Sequence, residues 1–181
     1  MILTGARGRR TLVNGMAGTS MRTTLIISLI AVLMAATEVR SAGRAPVEVA
    51  IVVNKANKVG TLSSRELKQI FSGATTRWPD GQPIQTLATG PETPEHRLAI
   101  RYFFGMSKPE YQKYALHATF VGETQRVPRD FGLSQTVLKF VGLIPGAIGF
   151  VDAGAVNPTV RPVRVDGLSP GDPLYPLTGA T

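Results

Sequence analysis

The sequence predicts an α/β domain: a mixed sheet flanked by helices. Three observations carry the prediction. VEVAIVVN, Val47 to Asn54, is β-branched and almost continuously apolar, the signature of a strand buried on both faces. Two later segments open with capping boxes and then place apolar residues at helical spacing. Strand-like and helix-like segments alternate along the chain, with no internal repeat and no low-complexity block. The 181 residues suit one domain, and 43% hydrophobic content is enough for a packed core.

Each element follows in order. After Val47–Asn54, Ser63 and Glu66 form a capping box, and Leu67, Ile70 and Phe71 make one apolar face. Pro79, Asp80 and Gly81 break the chain, and PIQTLAT, Pro83 to Thr89, reads as a second strand. Thr93 caps the next helix, with Pro94 at its first position and Gly105 as its stop. Its expected buried set is Leu98, Ala99, Tyr102 and Phe103. Ser107 and Glu110 cap a helix whose inner face is Tyr111, Tyr114, Ala115 and Ala118. A polar stretch runs from Gly122 to Gly132. Ser134 then begins a short helix with Val137, Leu138 and Val141 inward. Ala147–Val151 and Val160–Val165 read as the last strands, Arg161 and Arg164 projecting to opposite faces. The Pro- and Gly-rich tail, 167–181, is expected to be loosely held, which bounds the domain at 46–166.

Residues 1–43 read as an export segment. The apolar run TLIISLIAVLMAAT, Thr24 to Thr37, follows Arg22 and precedes the small residues Ser41, Ala42 and Gly43. It falls short of the roughly 20 apolar residues of a spanning helix, so a cleaved signal peptide is expected, with the cut between Ser41 and Ala45. The stretch before Met21 carries no pattern, and translation is expected to begin at Met16 or Met21. The expected location is periplasmic or secreted. The chain has no cysteine, which excludes disulfides, thiolate metal sites and a lipid-anchored cysteine. Of 20 basic and 12 acidic residues, five and one precede Ser41; the remainder carries 15 against 11, a net charge of +4. No basic stripe with interleaved aromatics is present, so nucleic acid is not an expected partner.

Three stretches together resemble phosphate-type substrate-binding proteins of ABC transporters. IFSGATTRWPDGQPI, Ile70 to Ile84, is similar to that family's IFxGxxxxW turn. GAIGFV, Gly146 to Val151, is similar to its GAIGYV strand, and VAIVVNKAN, Val49 to Asn57, to the strand leading into the same lobe. The resemblance covers Val47 to Val165 and implies one lobe of a periplasmic-binding-protein-like fold, in a single-lobe short form. It also implies a small phosphate-like anion as ligand and a membrane permease as partner. The family's Ser-Gly-Thr run after the second strand is absent; TGPETPEHR, Thr89 to Arg97, stands there.

The candidate ligand-binding residues are Thr93, His96, Arg97 and Arg101. A helix start offers unpaired N–H groups and partial positive charge, which suit an anion. Thr93 brings a hydroxyl, although an N-cap role uses the same atom. His96 lies in the first turn, where a histidine is usually a surface or capping residue, and Arg97 and Arg101 are four apart on one face. Glu92 and Glu95 add opposing charge. No catalytic residues are assigned, because no nucleophile elbow or phosphate loop occurs. No metal site is assigned either, since His96 and His117 lack ligand spacing, and no cofactor is expected. Two readings stay open: an exported anion-binding receptor domain, or an interaction or regulatory module that kept the lobe and lost the ligand, presenting an apolar patch. A homodimer that rebuilds a cleft would reconcile them.

Overall fold

The computed structural model describes residues 46–179; the segment 1–43 that the sequence predicts to be an export signal lies outside them. The sheet is built around β1 (Val47–Asn54), whose side chains alternate into two cores. Val49, Ile51 and Val53 enter one, and Ala50 and Val52 the other. Every one of these is fully buried, which explains why the segment reads as an unbroken apolar run rather than an alternating one.

β2 (Thr61–Leu62) leads into α1 (Ser64–Phe71), which starts at the reciprocal Ser63–Glu66 box. Glu66 accepts from the Ser63 backbone N–H at 2.7 Å, satisfying a donor that would otherwise be orphaned at the helix start. Leu67, Ile70 and Phe71 face inward, and Phe71 stacks on Phe103 with ring centroids 4.3 Å apart. Gly73 follows at φ 73°, and a Cβ there would come within 2.6 Å of the Gln125 carbonyl oxygen. The glycine of the IFSG turn therefore permits both the chain reversal and the close approach of a distant loop.

β3 (Gln85–Ala88) ends at Thr89, and α2 (Pro94–Phe104) runs from the Thr93 cap to Gly105 at φ 66°. α3 (Lys108–Phe120) begins at the Ser107–Glu110 box, with Tyr111 and Ala118 inward. The polar stretch beyond it is not wholly irregular: it holds a 3-10 turn at Thr124–Arg126 and the two-residue strand β4 (Arg129–Asp130). α4 (Ser134–Leu143) buries Val137, Leu138 and Val141. β5 (Ala147–Asp152), β6 (Val160–Val165) and β7 (Thr178–Gly179) complete the sheet.

The strand order is β2-β6-β1-β5-β3-β4, with β7 pairing β1. β1 runs antiparallel to β5, β6 and β7, whereas β2–β6, β3–β5 and β3–β4 are parallel. Among the described strands, β1 alone opposes the rest. α1 and α2 cover one face and α4 the other. Gly149, opposite Val52 in the register, lets α4 settle on the sheet; a Cβ there would lie 2.9 Å from Val137 Cγ1.

The tail departs from the sequence expectation. Tyr175 and Leu177 are buried in the main core, Tyr175 Oη donates to the Val49 carbonyl at 2.9 Å, and β7 pairs with Val47 and Glu48. The start of β1 would otherwise leave backbone groups and apolar surface uncovered, and the segment after Gly167 supplies both partners. The folded unit extends to Gly179.

Candidate functional site

β3, β4 and β5 are mutually parallel and end on the same side of the sheet. The loops that leave them, 89–93 and 131–133, open α2 on one face and α4 on the other. The loops are tied together where Gly90 N–H donates to the Gly132 carbonyl at 2.6 Å. Two helix N-termini thus start beside the carboxyl ends of adjacent strands, the topological position at which open α/β sheets take ligands.

The four predicted residues separate at this point. Thr93 Oγ1 is committed to the cap: it accepts from His96 N–H at 3.3 Å and lies 2.9 Å from the Gly90 carbonyl. His96 is not at the surface. It is 2% exposed, and its ring lies edge-on to Tyr111 and Phe150. Its Nδ1 is 2.7 Å from the Thr89 carbonyl oxygen, which can only accept, so Nδ1 carries the proton and donates. Nε2 and the Tyr111 hydroxyl are both buried without partners among the described residues. Arg97 is exposed, with Nη1 3.2 Å from the Glu92 carbonyl. Arg101 lies in the last turn of α2, at the far end from the cap. The structure brings Thr93, His96 and the Arg97 backbone to one helix start but puts Arg101 elsewhere. Four residues apart is one turn, about 6 Å of rise, and that carries Arg101 away from the start.

The buried polar groups at this end are ones that spacing did not single out. Glu95 is 8% exposed, and Ser134 Oγ, in the first turn of α4, donates to its carboxylate at 3.3 Å. Ser134 Oγ also accepts from Asp152 N–H at 3.1 Å, so one hydroxyl joins α2, α4 and β5. Asp130 Oδ1 stands 3.9 Å from His96 Nδ1. Burial holds the His96 imidazole below its ordinary range, against the opposing pull of the Thr89 carbonyl and Asp130, so the ring is neutral at pH 7. Burial raises the Asp130 carboxyl, an effect that the nearby imidazole partly offsets. On the rim, the Lys108 ammonium pairs with Glu92 and holds that carboxyl below the usual range. Nothing in the local pattern signalled Glu95 as buried: it occupies a first-turn position where acids are ordinarily solvated. Among the described residues, no group of three or more His, Asp or Glu side chains could hold a metal ion, and no helix is long and apolar enough to cross a membrane.

Comparison of the fold with solved structures decides what kind of lobe this is. A Clostridium perfringens protein, described as a substrate-binding protein of a phosphate ABC transporter and solved with bound phosphate, superimposes with TM-score 0.55 at 21% identity, over 69% of this chain and 47% of that one. The chain has a periplasmic-binding-protein-like α/β fold. The Vibrio cholerae ABC-type phosphate transport receptor matches this lobe equally well, with TM-score 0.55 and 21% identity over 75% of this chain and 55% of that one. PstS from Borrelia burgdorferi gives TM-score 0.57 at 12% identity over 75% and 56%. The chain therefore spans about half the length of these structures. In sequence, the phosphate-binding protein PstS 2 of Streptococcus agalactiae, from serotype V and serotype III strains, is 56% identical over 32 residues, which are 18% of this chain and 11% of those proteins. No family model matches the chain.

Proposed function

We propose that this lobe is an anion-binding jaw of a phosphate-type transport receptor, that it is not an enzyme, and that it acts outside the inner membrane beside a permease. The observation that carries the reading is the convergence of the α2 and α4 starts on the carboxyl ends of β3, β4 and β5, within a fold shared with a receptor solved with phosphate. The first-turn N–H groups that keep no partner among the described residues, Glu95 in α2 and Ser134 and Gln135 in α4, suit an oxyanion. Of the predicted residues, Arg97 supplies the cation, while Thr93 shapes the helix start through its cap. Isothermal titration with phosphate, sulfate and small carboxylates tests this. Phosphate heat that weakens at least several-fold in Arg97→Ala supports it; no heat with any anion removes the ligand role.

A second reading is favoured by a different observation. Glu92, Glu95 and Asp130 crowd the same end, and the outer face of α3 exposes Leu116 and Phe120, at 60% and 81%. An interaction or regulatory module that kept the lobe and covers this apolar stripe with a protein partner or a second copy would account for both. Light scattering together with the titration separates the readings. Concentration-dependent dimers that Phe120→Lys dissolves, with no anion heat, favour the module.

A further inference from the structure

β2 is an edge strand: the order β2-β6-β1-β5-β3-β4 leaves its outer side unpaired, at the opposite edge of the sheet from β4. An unpaired edge offers backbone donors and acceptors to another chain. The pairing with β6 decides which groups are open. Arg164 N–H donates to the Gly60 carbonyl and Asp166 N–H to the Leu62 carbonyl, each at 3.0 Å. Gly60 and Leu62 therefore face β6, and alternation turns the Thr61 N–H and carbonyl outward. The outward N–H groups on either side are closed by side chains: Val59 N–H donates to Asn57 Oδ1 at 2.9 Å and Ser63 N–H to Glu66 at 2.7 Å. Between them Thr61 keeps both groups open, which fixes the register of any strand that pairs there.

A groove flanks this edge on each face of the sheet, and Thr61 lines both. On the α1 face, Val59, Leu62, Ile70, Trp78 and Ile84 line a groove of about 320 Å³. All five belong to the main core or pack against it, so they lie on that side. On the α4 face, Thr61, Pro162 and Arg164 line a cleft of about 560 Å³. The register puts their side chains there. Pro162 pairs with Val52, which is buried in the α4-side core, and paired residues share a face. Arg164, two residues on from Pro162, shares that face, and so does Thr61, its partner in β2. Arg164 forms no ion pair among the described residues. Glu66 is the one carboxylate on either groove among the described residues, and the Ser63 cap holds it.

Sheet edges take extended peptides in this way: main-chain bonds set the register, and pockets for alternate side chains set the sequence. The peptide residue that pairs with Thr61 has its side chain on the Arg164 face. It stands two strand spacings, about 10 Å, from Arg164, a span that a glutamate and an arginine side chain bridge together. The residues on either side of it point to the other face, where the groove is apolar. We propose that the β2 edge docks an extended segment of a partner protein in which a glutamate is flanked by aliphatic residues. The glutamate faces Arg164, the Thr61 main chain pairs with it, and an aliphatic side chain covers Leu62 and Trp78. This surface lies at the opposite sheet edge from the anion site and does not depend on it.

Titration of the full chain with the blocked pentapeptide Ser-Val-Glu-Val-Ser tests this, followed by amide chemical shifts. Ser-Val-Lys-Val-Ser and Ser-Ser-Glu-Ser-Ser are the controls for the two grooves. The expected result is saturable binding of the first peptide, roughly tenfold tighter than either control. Shifts should centre on Gly60 to Leu62 and on Trp78, and hydrogen exchange at the Thr61 amide should slow. N-methylation of the peptide's glutamate leaves the protein untouched and should cost roughly tenfold. Arg164→Glu should reverse the preference toward the lysine peptide. Thr61→Pro removes an N–H that β6 does not use; it should abolish binding without lowering the melting temperature. The proposal is overturned if the first peptide does not bind, if the lysine peptide binds equally well, if N-methylation has no effect, or if the shifts centre on Leu116 to Phe120.

Discussion

Trp78 Nε1 donates to the Gly146 carbonyl at 3.0 Å, joining the IFSGATTRW turn to the GAIGFV strand across 68 residues of sequence. The indole is 5% exposed and closes the main core beside the starts of β3 and β5. The two motifs are thus one structural unit: the first supplies the lid and the second the acceptor.

Trp78→Phe keeps most of the apolar fill and removes one of the two donors to the Gly146 carbonyl, which keeps the Gln85 N–H at 3.2 Å. The expected cost is about 0.5–1.5 kcal/mol. Because Trp78 is the only tryptophan, urea unfolding should be followed by circular dichroism. An unchanged midpoint would mean that the hydrogen bond contributes nothing net.

The tail gives a paired comparison three residues apart. Leu177 is fully buried and Leu174 is 81% exposed. Leu177→Ala should destabilise by about 2–5 kcal/mol through lost burial and a cavity. Leu174→Ala should stay within about 0.5 kcal/mol of the parent. Equal, small effects in denaturant melts would show the segment after Gly167 to be dispensable.

Much of the fold could be read locally, because its signals are local. Ser63 with Glu66, Ser107 with Glu110, and Thr93 with Gly105 each solve the satisfaction of a helix end within a few residues, and each is found as expected. β1 is legible because both its faces are buried. What was hidden depends on partners far along the chain. Tyr175 reaches Val49 across 126 residues, and β4 exists only through its pairing with Leu87 and Ala88. At the candidate site, His96 and Glu95 look like ordinary first-turn surface residues until Tyr111, Phe150 and Ser134 cover them.

Buried His96 makes stability depend on pH. Its folded-state pKa is lowered, so above the unfolded value of about 6.5 both states are neutral at this ring and its contribution is complete. As pH falls through about 6.5 the unfolded chain takes up the proton first. Stability then drops by up to about 1.4 kcal/mol per pH unit until the native ring also protonates. Asp130 acts in the opposite sense at lower pH, since its raised carboxyl takes up a proton in the native state first. Urea midpoints between pH 7.5 and 5 should decline in the parent and flatten in His96→Gln. Parallel slopes in the two proteins would assign the dependence to other groups.

Glu95 places a built-in carboxylate against Ser134 at the start of α4. Repulsion between one such charge and an incoming anion at short range in a partly solvated site is on the order of 1 kcal/mol. Glu95→Gln keeps the acceptor for Ser134 and should tighten phosphate binding roughly fivefold at pH 7. Weaker binding in the variant, measured by calorimetry, would show that the carboxylate supports the site rather than opposing it.

β1 is the first strand of the folded unit, yet its sheet partners lie at 147–152, 160–165 and 178–179. The middle of the sheet therefore cannot close until residue 179 is available. Pairing over such distances gives high contact order, which slows folding, and leaves β1 waiting on segments made about a hundred residues after it.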